Sequence, residues 1–586
     1  MTTKFRQKIF QKRVLIASYI AMCIIVLYNY FFLQIIEFEK FNEKAGNNSI
    51  RKIILNAPRG VIYDRNKIPL VDNKPLYNIE LIPKDIEKDF NYSLFKEVTG
   101  IDSSYIDSII NKNRYLGSSF KPKIIKRYID FEMKSILEEY KLDLNGIYFS
   151  ALPARTYTSN CNLTHVLGYL RQIDQEDFNT ALYKSDDIIG YSGIEKYYEQ
   201  DLRGEYGVDY YLVNSLGIVK NKYEKGNLSF KPKQGDSIVL SIDSRLQKFA
   251  EDKMKNMSGS IIVMNPSNGE ILSLVSNPDY DLKSFIGPIP ISNWRKLINN
   301  SNKPFTNRAI QATYPPGSIF KLLLSAIALE NNKIDKSRKI NCEGVYDFHN
   351  TTFKCWKEEG HGEINLSSAI KQSCNIYFYN LMQDLEFDLW SKESERLGFN
   401  KKTLVDLPNE QIGNIPNRKY MNKVYKDKGG WSIGHLLNFS IGQGEVLVTP
   451  IQVIQLTNLI ANEGKFFPPS LNINNSKEFE LVGYKNHVWK FIKKAMYDAV
   501  NADKGTAYKA KINNSDISIY GKTGTAQVCS NCDSEPHAWF TGFMEYDDKV
   551  VSICILIENG GKGSNIPSEI SGEVFDYILN NVQGNI

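Results

Sequence analysis

The feature that most constrains this chain is a run of 23 residues without a charged side chain near its N-terminus. The run VLIASYIAMCIIVLYNYFFLQII covers residues 14–36 and matches the roughly 20 residues that a helix needs to cross a bilayer. Five basic and no acidic residues precede it, whereas Glu37, Glu39 and Glu43 follow it. This asymmetry predicts one membrane-spanning helix with its N-terminal tail, residues 1–13, in the cytoplasm.

A cleaved signal peptide is the main alternative for this segment. It would have a shorter apolar core followed by a small-x-small cleavage site, and the sequence has neither. We therefore expect an uncleaved, single-pass anchor in a bacterial-type inner (cytoplasmic) membrane, with the bulk of the chain on the periplasmic side.

Length and charge limit the remaining possibilities. A chain of 586 residues exceeds one hydrophobic core, so two or three domains are expected. An apolar content of 42% and a charged content of 24% are typical of a globular protein. The net charge of +6 is mild and no dense basic run occurs, so nothing indicates a nucleic-acid partner.

Secondary-structure signals become clearer after a polar stretch that ends near residue 234. DSIVLSIDSRLQKFAEDKM predicts a strand followed by a helix capped by Asp243 or Ser244. SGSIIVMNPSNGEILSLVSNPDY predicts two strands joined by an Asn-Gly-containing turn, and three more strands are predicted near the C-terminus. Strands at both ends with helices between them indicate one α+β domain, residues 235–586, whose terminal strands share a sheet.

A Pro-Pro-Gly break followed by an apolar helix surrounds one serine. In TYPPGSIFKLLLSAIALE, Ser318 stands at the predicted helix start and Lys321 lies one turn further on the same face. A serine hydroxyl is a weak nucleophile until a base takes its proton, and a lysine amine with a lowered pKa can be that base. The helix amides offer donors to an oxyanion. The spacing S-x-x-K occurs five times in the chain, so taken alone it favours a capping serine and a solvated lysine over a catalytic pair.

Two further motifs change that assessment. Ser373-Cys374-Asn375 lies 55 residues after Ser318 and 149 residues before Lys522. YGKTGTAQV is predicted to be a strand that suits an extended peptide ending in a carboxylate, through glycine, hydroxyls and a fixed positive charge. Its candidate substrate-binding residues are Lys522, Thr523, Gly524 and Thr525.

The motifs S-x-x-K, S-x-N and K-T-G in this order form the signature of penicillin-recognising serine transferases. The chain resembles class B penicillin-binding proteins, most closely those of the elongation type, and the resemblance covers nearly its whole length. It extends to APRGVIYDRNKIPL (57–70), SGIEKYYEQDLRGEYG (192–207), SIGQGEVLVTPIQ (440–452) and HAWFTGF (537–543).

The resemblance implies a fold and a domain order. We expect the penicillin-binding transpeptidase fold, an α+β fold in which an antiparallel sheet is flanked by helices, with an N-terminal transmembrane helix and an extended α/β pedestal. The expected domains are a cytoplasmic tail (1–13), a transmembrane helix (14–36), a pedestal of the dimerisation type (37–234) and a transpeptidase domain (235–586).

The resemblance also implies a reaction, the D,D-transpeptidation that cross-links peptidoglycan stem peptides during cell elongation and that β-lactams inhibit. Ser318 would attack the peptide, Lys321 would be the general base, Ser373 would relay the proton to the leaving D-alanine, and Asn375 would orient Lys321. Lys522, Thr523 and Thr525 would hold the terminal carboxylate beside Gly524. The backbone amides of Ser318 and Thr525 would form the oxyanion hole.

Three other protein classes share parts of this pattern. A D,D-carboxypeptidase carries the same motifs but resolves the acyl-enzyme with water, and a non-catalytic pedestal scaffold would regulate a glycosyltransferase. A class A β-lactamase would need an E-x-x-L-N segment, which the chain lacks. Elongation-type relatives act beside a glycosyltransferase of the shape, elongation, division and sporulation (SEDS) family, so the resemblance implies that partner and other elongation-complex proteins.

A cysteine between Ser373 and Asn375 raises a separate question. Three cysteines and one histidine occur within 33 residues, the ligand types of a closed zinc site: Cys342, Cys355, His361 and Cys374. Disulfides are the alternative in an oxidising compartment, although they would leave one thiol unpaired. Some relatives have a metal site here that uses the histidine of GHG, the cysteine of the S-x-N motif and acidic residues upstream. His361 and Cys374 match two of these positions, Cys355 stands where an acid is expected, and Cys342 matches approximately. The resemblance therefore favours structural Zn²⁺. The chemistry itself needs no cofactor.

The other cysteines receive simpler interpretations. We expect a disulfide between Cys529 and Cys532, an unpaired position or a position in the core of the pedestal for Cys161, and a core position for Cys554 in an apolar strand. Cys23 belongs to the membrane-spanning run.

Overall fold

The computed structural model describes residues 2–37, 50–86, 89–115, 122–173, 183, 187–213, 219–287, 289–475, 477–528 and 534–582. The chain divides into two compact units. The N-terminal unit consists of Met1–Arg59, Lys74–Ala154 and Gly204–Gly235. The C-terminal unit consists of Gly60–Asn73, Arg155–Arg203 and Asp236–Ile586. The domain boundaries expected from the sequence stay a prediction. Cys529 and Cys532 lie outside the described residues, so their disulfide is also still a prediction.

The N-terminal apolar run is helical. An α-helix covers Thr2–Phe31 and one π-helical turn, Phe32–Ile36, continues it. Within the described part of the chain, Lys12–Ile36 is the one helix long and apolar enough to cross a membrane. Its central apolar window buries nothing against the rest of the protein, so a lipid environment would satisfy the side chains that the fold leaves exposed.

In its described residues, the N-terminal unit combines three further helices with short antiparallel sheets. The helices are Tyr92–Thr99, Ser103–Tyr115 and Phe131–Glu139. The strands are Ile50–Leu55, Lys123–Ile129, Gly207–Val213, Val219–Lys222 and parts of Pro69–Leu81 and Ile147–Tyr157. Asn91 and Asp130 cap two of the helices by accepting backbone N–H groups, as short polar side chains at that position do. A small core that includes Ile79, Phe95 and Ile106 holds these elements together.

The C-terminal unit contains most of the helices. They are Thr164–Leu167, Gly193–Tyr197, Glu199–Leu202, Ser244–Lys253, Ile291–Ile298, Phe320–Glu330, Leu366–Lys371, Asn375–Gln383, Phe387–Arg396, Arg418–Val424, Ile433–Ser440, Pro450–Ala461, Asn486–Asn501 and Ile566–Asn581. Its short strand pairs are Ile62–Tyr63 with Ile238–Val239, Leu170–Gln172 with Ile188–Gly190, and Lys465–Phe466 with Glu480–Leu481.

Five antiparallel strands form the central sheet of this unit. Their spatial order is Ile271–Asn277, Gly259–Met264, Lys549–Ile557, His537–Tyr546 and Ser518–Ala526. The sheet therefore joins strands from both ends of the domain, as the sequence predicted, and the turn between the first two contains the expected Asn268-Gly269. Ser518–Ala526, which carries the K-T-G motif, lies at the edge of the sheet and is called the edge strand below.

The central sheet separates two apolar cores. Because side chains alternate along a strand, Cys554 and Leu556 face one core while Ile553 and Ile555 face the other. Pro450–Ala461 packs on the sheet from the first core, and Ile566–Asn581 packs on the strands His537–Tyr546 and Lys549–Ile557 from the second. A sheet buried on both faces is a rigid support for whatever its edge strand presents.

A second, lighter structure lies beside the helix Phe320–Glu330, which is called the serine helix. Residues 339–375 are called the cysteine segment. It contains two two-stranded antiparallel sheets, Lys339–Cys342 with Gly362–Asn365 and Val345–Phe348 with Thr351–Lys354. Leu366–Lys371 follows, and Ser373 and Cys374 then lead into the helix Asn375–Gln383.

Candidate active site

Ser318 lies in a tight turn that the edge strand locks in place. A 3₁₀ turn covers Gly317–Ile319 and leads into the serine helix, so the helical segment begins where the sequence predicted. Gly317 has φ +56°, and a Cβ there would lie 2.7 Å from the carbonyl oxygen of Thr525. Only glycine permits this approach, which brings the backbone of Thr525 next to the turn that presents Ser318.

Lys321 is fully buried on the serine helix, where its amine contacts neutral oxygens. Its Nζ donates to Asn375 Oδ1 at 2.7 Å and to Ser373 O at 2.8 Å, and lies 3.4 Å from Ser373 Oγ. Burial lowers the pKa of Lys321 to about 8, although the nearby thiols of the cysteine segment act to raise it. A fraction of order one tenth is therefore neutral near pH 7, as a general base requires.

Lys522 reaches the same hydroxyl from the edge strand. Its Nζ donates to Ser373 Oγ and to Thr523 O, both at 2.9 Å. Burial, and secondarily the charge of Lys321, lower its pKa well below the ordinary lysine value. Two buried amines around one hydroxyl oppose each other's protonation, which disfavours the positive charge that the sequence suggested for Lys522.

Ser373 joins the two amines through its hydroxyl. It has φ +56°, which costs energy for a residue with a Cβ and persists only where the surroundings impose it. The residue is buried, with about 6% of its surface exposed. A hydroxyl that contacts both Lys321 and Lys522 can pass a proton between them.

The edge strand offers a hydroxyl and a close backbone approach beside Lys522. Thr525 is exposed, and its Oγ1 accepts a hydrogen bond of 3.3 Å from the amide of Gly563. Because that bond uses a lone pair, the hydroxyl hydrogen of Thr525 remains free to donate to a carboxylate. A Cβ at Gly524 would lie 2.9 Å from the carbonyl oxygen of Pro316, so glycine allows the strand to approach the turn that carries Ser318.

Two residues at this edge were not predicted from the sequence. Thr506 Oγ1 lies 3.2 Å from Thr523 Oγ1 and 3.3 Å from Lys371 O, and so connects the edge strand to the helix before Ser373. Gly563 orients Thr525, and a Cβ there would lie 2.2 Å from the carbonyl oxygen of Trp539. Threonines and glycines are common in loops, so no local pattern marks either residue as part of a site.

The four predicted metal ligands come together behind the S-x-N motif. The candidate ligand atoms of Cys342, Cys355, His361 and Cys374 all lie within 4.8 Å of one another. His361 Nδ1 is 3.4 Å from the sulfur of Cys342 and 3.6 Å from that of Cys355. All three cysteines are buried free thiols, so the disulfide alternative is not formed here. A hydrogen bond between Cys355 and Cys374 lowers the pKa of Cys355 and raises that of Cys374.

The remaining described cysteines are also unpaired. Cys161 and Cys554 are buried free thiols, as expected, and Cys554 contributes to the core at the central sheet. Burial raises the pKa of both, so neither thiol is activated.

The chain matches two family descriptions. "Penicillin binding protein transpeptidase domain" matches residues 259–580, and "Penicillin-binding Protein dimerisation domain" matches residues 54–240. The first range contains the central sheet and every candidate catalytic residue named above.

Curated relatives and a solved structure are similar over nearly the whole chain. The chain is 29% identical to "Peptidoglycan D,D-transpeptidase MrdA" of Haemophilus influenzae, over 98% of this chain and 93% of the relative. It is 27% identical to the protein of the same name from Escherichia coli, over 97% and 94%. Among structures, the "Complex between Penicillin-Binding Protein (PBP2) and MreC from Helicobacter pylori" aligns with a TM-score of 0.78 and 30% identity, over 91% of this chain and 99% of that one.

Proposed function

The chain belongs to the penicillin-binding protein transpeptidase family, and we propose that Ser318 is the nucleophile of its D,D-transpeptidase reaction. The protein is a peptidoglycan D,D-transpeptidase of the elongation type, similar to the relatives named MrdA. The observation that carries the residue assignment is the buried amine of Lys321, which lies one turn after Ser318 and contacts both Ser373 and Asn375.

Acylation begins at the serine turn. Neutral Lys321 takes the proton of Ser318 as the serine oxygen attacks the carbonyl between the two terminal D-alanines, and the carbonyl π electrons move onto oxygen. The backbone amides of Ser318 and Thr525 stabilise that oxyanion; the close approach of Gly317 to Thr525 supports this arrangement. Asn375 holds the amine through its Oδ1.

The leaving group needs the proton that Lys321 has taken. Ser373 Oγ lies beside both amines, so it can accept a proton from Lys321 while it gives its own to the nitrogen of the departing D-alanine. The C–N bond then breaks as the carbonyl re-forms, which leaves the peptide esterified to Ser318. An amine from a neighbouring strand attacks this ester in the reverse sequence and forms the cross-link.

The substrate carboxylate binds at the edge strand beside Lys522, Thr523, Gly524 and Thr525. Its negative charge stabilises the protonated amine of Lys522, which burial otherwise disfavours. The free hydroxyl hydrogen of Thr525 donates to the same carboxylate. The carboxylate of a substrate or a β-lactam therefore favours the protonated form of Lys522.

The proposal extends to a structural zinc ion held by Cys342, Cys355, His361 and Cys374. A tetrahedral zinc with Zn–S bonds of about 2.3 Å and a Zn–N bond of about 2.0 Å puts sulfur and nitrogen about 3.5 Å apart. The two measured sulfur–nitrogen distances are 3.4 and 3.6 Å. The ion would supply no chemistry to the reaction; its ligands would fasten the segment that carries Ser373 and Asn375.

The proposal also covers location and partners. Residues 14–36 anchor the protein in the inner membrane, with residues 1–13 in the cytoplasm and the rest in the periplasm. The solved relative from Helicobacter pylori is in complex with MreC, which supports elongation-complex partners for this chain. A SEDS-family glycosyltransferase is proposed as the enzyme that supplies the strands to be cross-linked, with the region of residues 37–234 as the contact surface and 235–586 as the catalytic domain.

The test is intact-protein mass spectrometry of the full chain in detergent micelles, with and without benzylpenicillin. We expect the mass of one penicillin to be added to the unaltered protein and lost in Ser318→Ala. Ser368→Ala is the matched control, because Ser368 also begins an S-x-x-K spacing at the start of a helix, and it should keep the adduct. An adduct on Ser318→Ala would refute the nucleophile assignment.

Turnover assays separate the reaction types. With stem-peptide substrate and an amine acceptor, we expect cross-linked product together with free D-alanine. Release of D-alanine without cross-linked product would indicate a D,D-carboxypeptidase. A Ser318→Ala protein that still supports growth would indicate a scaffold.

A further inference from the structure

We infer that Lys354, Cys355 and Trp356 form a clamp of positioning residues for the catalytic pair Ser373 and Asn375, with the indole N–H of Trp356 as its decisive contact. The inference rests on the proposed function, because it assigns a role to contacts on residues of that site. The clamp is the end of the strand Thr351–Lys354 and the two residues after it.

The first contact fixes the side-chain amide of Asn375. Lys354 O accepts a hydrogen bond of 3.2 Å from Asn375 Nδ2, which leaves Oδ1 directed at the amine of Lys321, 2.7 Å away. Without that acceptor, the amide could rotate by half a turn and present NH₂ to the lysine, where a donor would face a donor. The carbonyl of Lys354 therefore selects the orientation that the base needs.

The second contact fixes the backbone of the same residue. Cys355 Sγ accepts a hydrogen bond of 3.4 Å from the amide of Asn375. This amide belongs to the first turn of the helix Asn375–Gln383, whose capping residue, Cys374, makes no side-chain cap bond. The sulfur of Cys355 thus satisfies a helix N–H that would otherwise have no intrahelical acceptor.

The third contact holds the strained residue. Trp356 Nε1 donates to Gln372 O at 3.0 Å and to Ser373 O at 3.1 Å. Ser373 O also accepts from Lys321 Nζ at 2.8 Å, so one carbonyl oxygen links the indole and the general base. Since Ser373 has φ +56°, its peptide needs outside contacts to stay in that conformation.

The solvent exposure of Trp356 distinguishes a positioning role from ordinary core packing. Trp356 is 57% exposed, so its ring contributes little to the core. Its single polar hydrogen nevertheless binds a carbonyl of the S-x-N motif, Ser373 O. Loss of the indole N–H should let the Ser373 peptide relax and move the acceptor that holds Lys321. The amine would then spend less time aligned with Ser318, which lowers the rate of acylation rather than the binding of the substrate.

The test is benzylpenicillin acylation of the full chain in detergent micelles, resolved into a dissociation constant for the first complex and a rate constant for acylation. Trp356→Phe should lower the rate constant about tenfold, as expected for one lost hydrogen bond at the reacting geometry. The dissociation constant should stay within twofold and the melting temperature should hardly change.

Trp431→Phe is the matched control. Its indole N–H donates to Asn422 Oδ1 at 2.7 Å, outside the catalytic motifs, so acylation by this variant should equal that of the unaltered protein. An unchanged rate constant in Trp356→Phe would overturn the inference. So would a loss that appears equally in the dissociation constant and the melting temperature, because that result describes a folding defect. Failure of the proposed function differs from both, since the unaltered protein would then form no adduct.

Discussion

The edge strand and the cysteine segment approach the same two amines but are stabilised in different ways. The edge strand belongs to a five-stranded sheet with a core on each face, and six of its nine residues are buried. The short strands of the cysteine segment contain only two buried residues, Cys342 and Ile364. Apolar burial on both faces holds the edge strand. In the cysteine segment the helix Leu366–Lys371 is buried in the core, whereas the short strands before it depend mainly on a thiol and imidazole cluster and on hydrogen bonds.

This difference matters because the site uses residues from both regions. Lys522 comes from the edge strand, Ser373 and Asn375 come from the cysteine segment, and Lys321 contacts that pair from the serine helix. A sheet can tolerate loss of one contact without moving its edge. The short strands of the cysteine segment depend on each of their few contacts. Loss of one contact there should therefore lower the acylation rate before it lowers the global stability of the protein.

Lys321→Met should lower the acylation rate more than any other change considered, because it removes the amine that contacts Ser373 and Asn375. Loss of the base should slow benzylpenicillin acylation about 10³-fold. Stability should change little, since removal of a buried amine at similar volume offsets the hydrogen bonds that Asn375 and Ser373 lose. Leu322→Met, at the next buried position of the same helix, is the control and should acylate normally. Stopped-flow acylation and thermal melts would measure both; a fall of less than about tenfold would show that another group is the base.

Gly317→Ala tests the close approach on the edge-strand side. The new Cβ would lie 2.7 Å from Thr525 O in a backbone with positive φ, so the nucleophile turn and the oxyanion amides must separate. We expect acylation to fall about 100-fold, within the range for a lost oxyanion donor. Gly398→Ala is the control, since Gly398 also has positive φ but no atom within 4 Å of the added Cβ. It should lose about 1 kcal/mol of stability with no change in rate. Equal rates in the two variants would contradict the predicted contact.

Cys374→Ser and Cys554→Ser compare a fully buried free thiol of the cysteine segment with one in the middle strand of the central sheet that supports the edge strand. Cys374→Ser should lose bound zinc by elemental analysis, slow acylation several-fold, and become insensitive to chelators. Cys554→Ser should keep the metal and the rate, with a loss of about 1–3 kcal/mol in the free energy of unfolding from a buried hydroxyl. A zinc-free unaltered protein, or a Cys374→Ser protein with full metal content, would rule out the proposed ligand set.

The sequence predicted the elements that depend on local chemistry. The Asn-Gly turn, the Asp243 cap, the five strands of the sheet and the break before Ser318 all follow from turn residues, caps and alternation, and the structure contains each. The four ligand candidates were found because cysteine and histidine are rare enough to be counted.

What the sequence did not reveal are contacts made by common atoms. Lys354 acts through a backbone carbonyl, Gly563 through a backbone amide, and Thr506 through a hydroxyl at a distant position in the chain. The lowered pKa of Lys522 likewise follows from burial and from a second amine, which only the assembled fold brings together. Contacts of these kinds produce no characteristic residue spacing in the sequence.

The pH dependence of acylation should report two opposing influences on the pKa of Lys321. Burial lowers its pKa to about 8, while the thiols of the cysteine segment act to raise it. Below that value the base is protonated, so the acylation rate should fall about tenfold per pH unit and level off above pH 8. Because Lys321 is protonated in both the folded and the unfolded state below pH 8, its contribution to stability is constant there. It rises only between about 8 and 10.5. A pH-independent rate between about pH 6 and 9, in a protein whose melting temperature is constant, would exclude Lys321 as the titrating base.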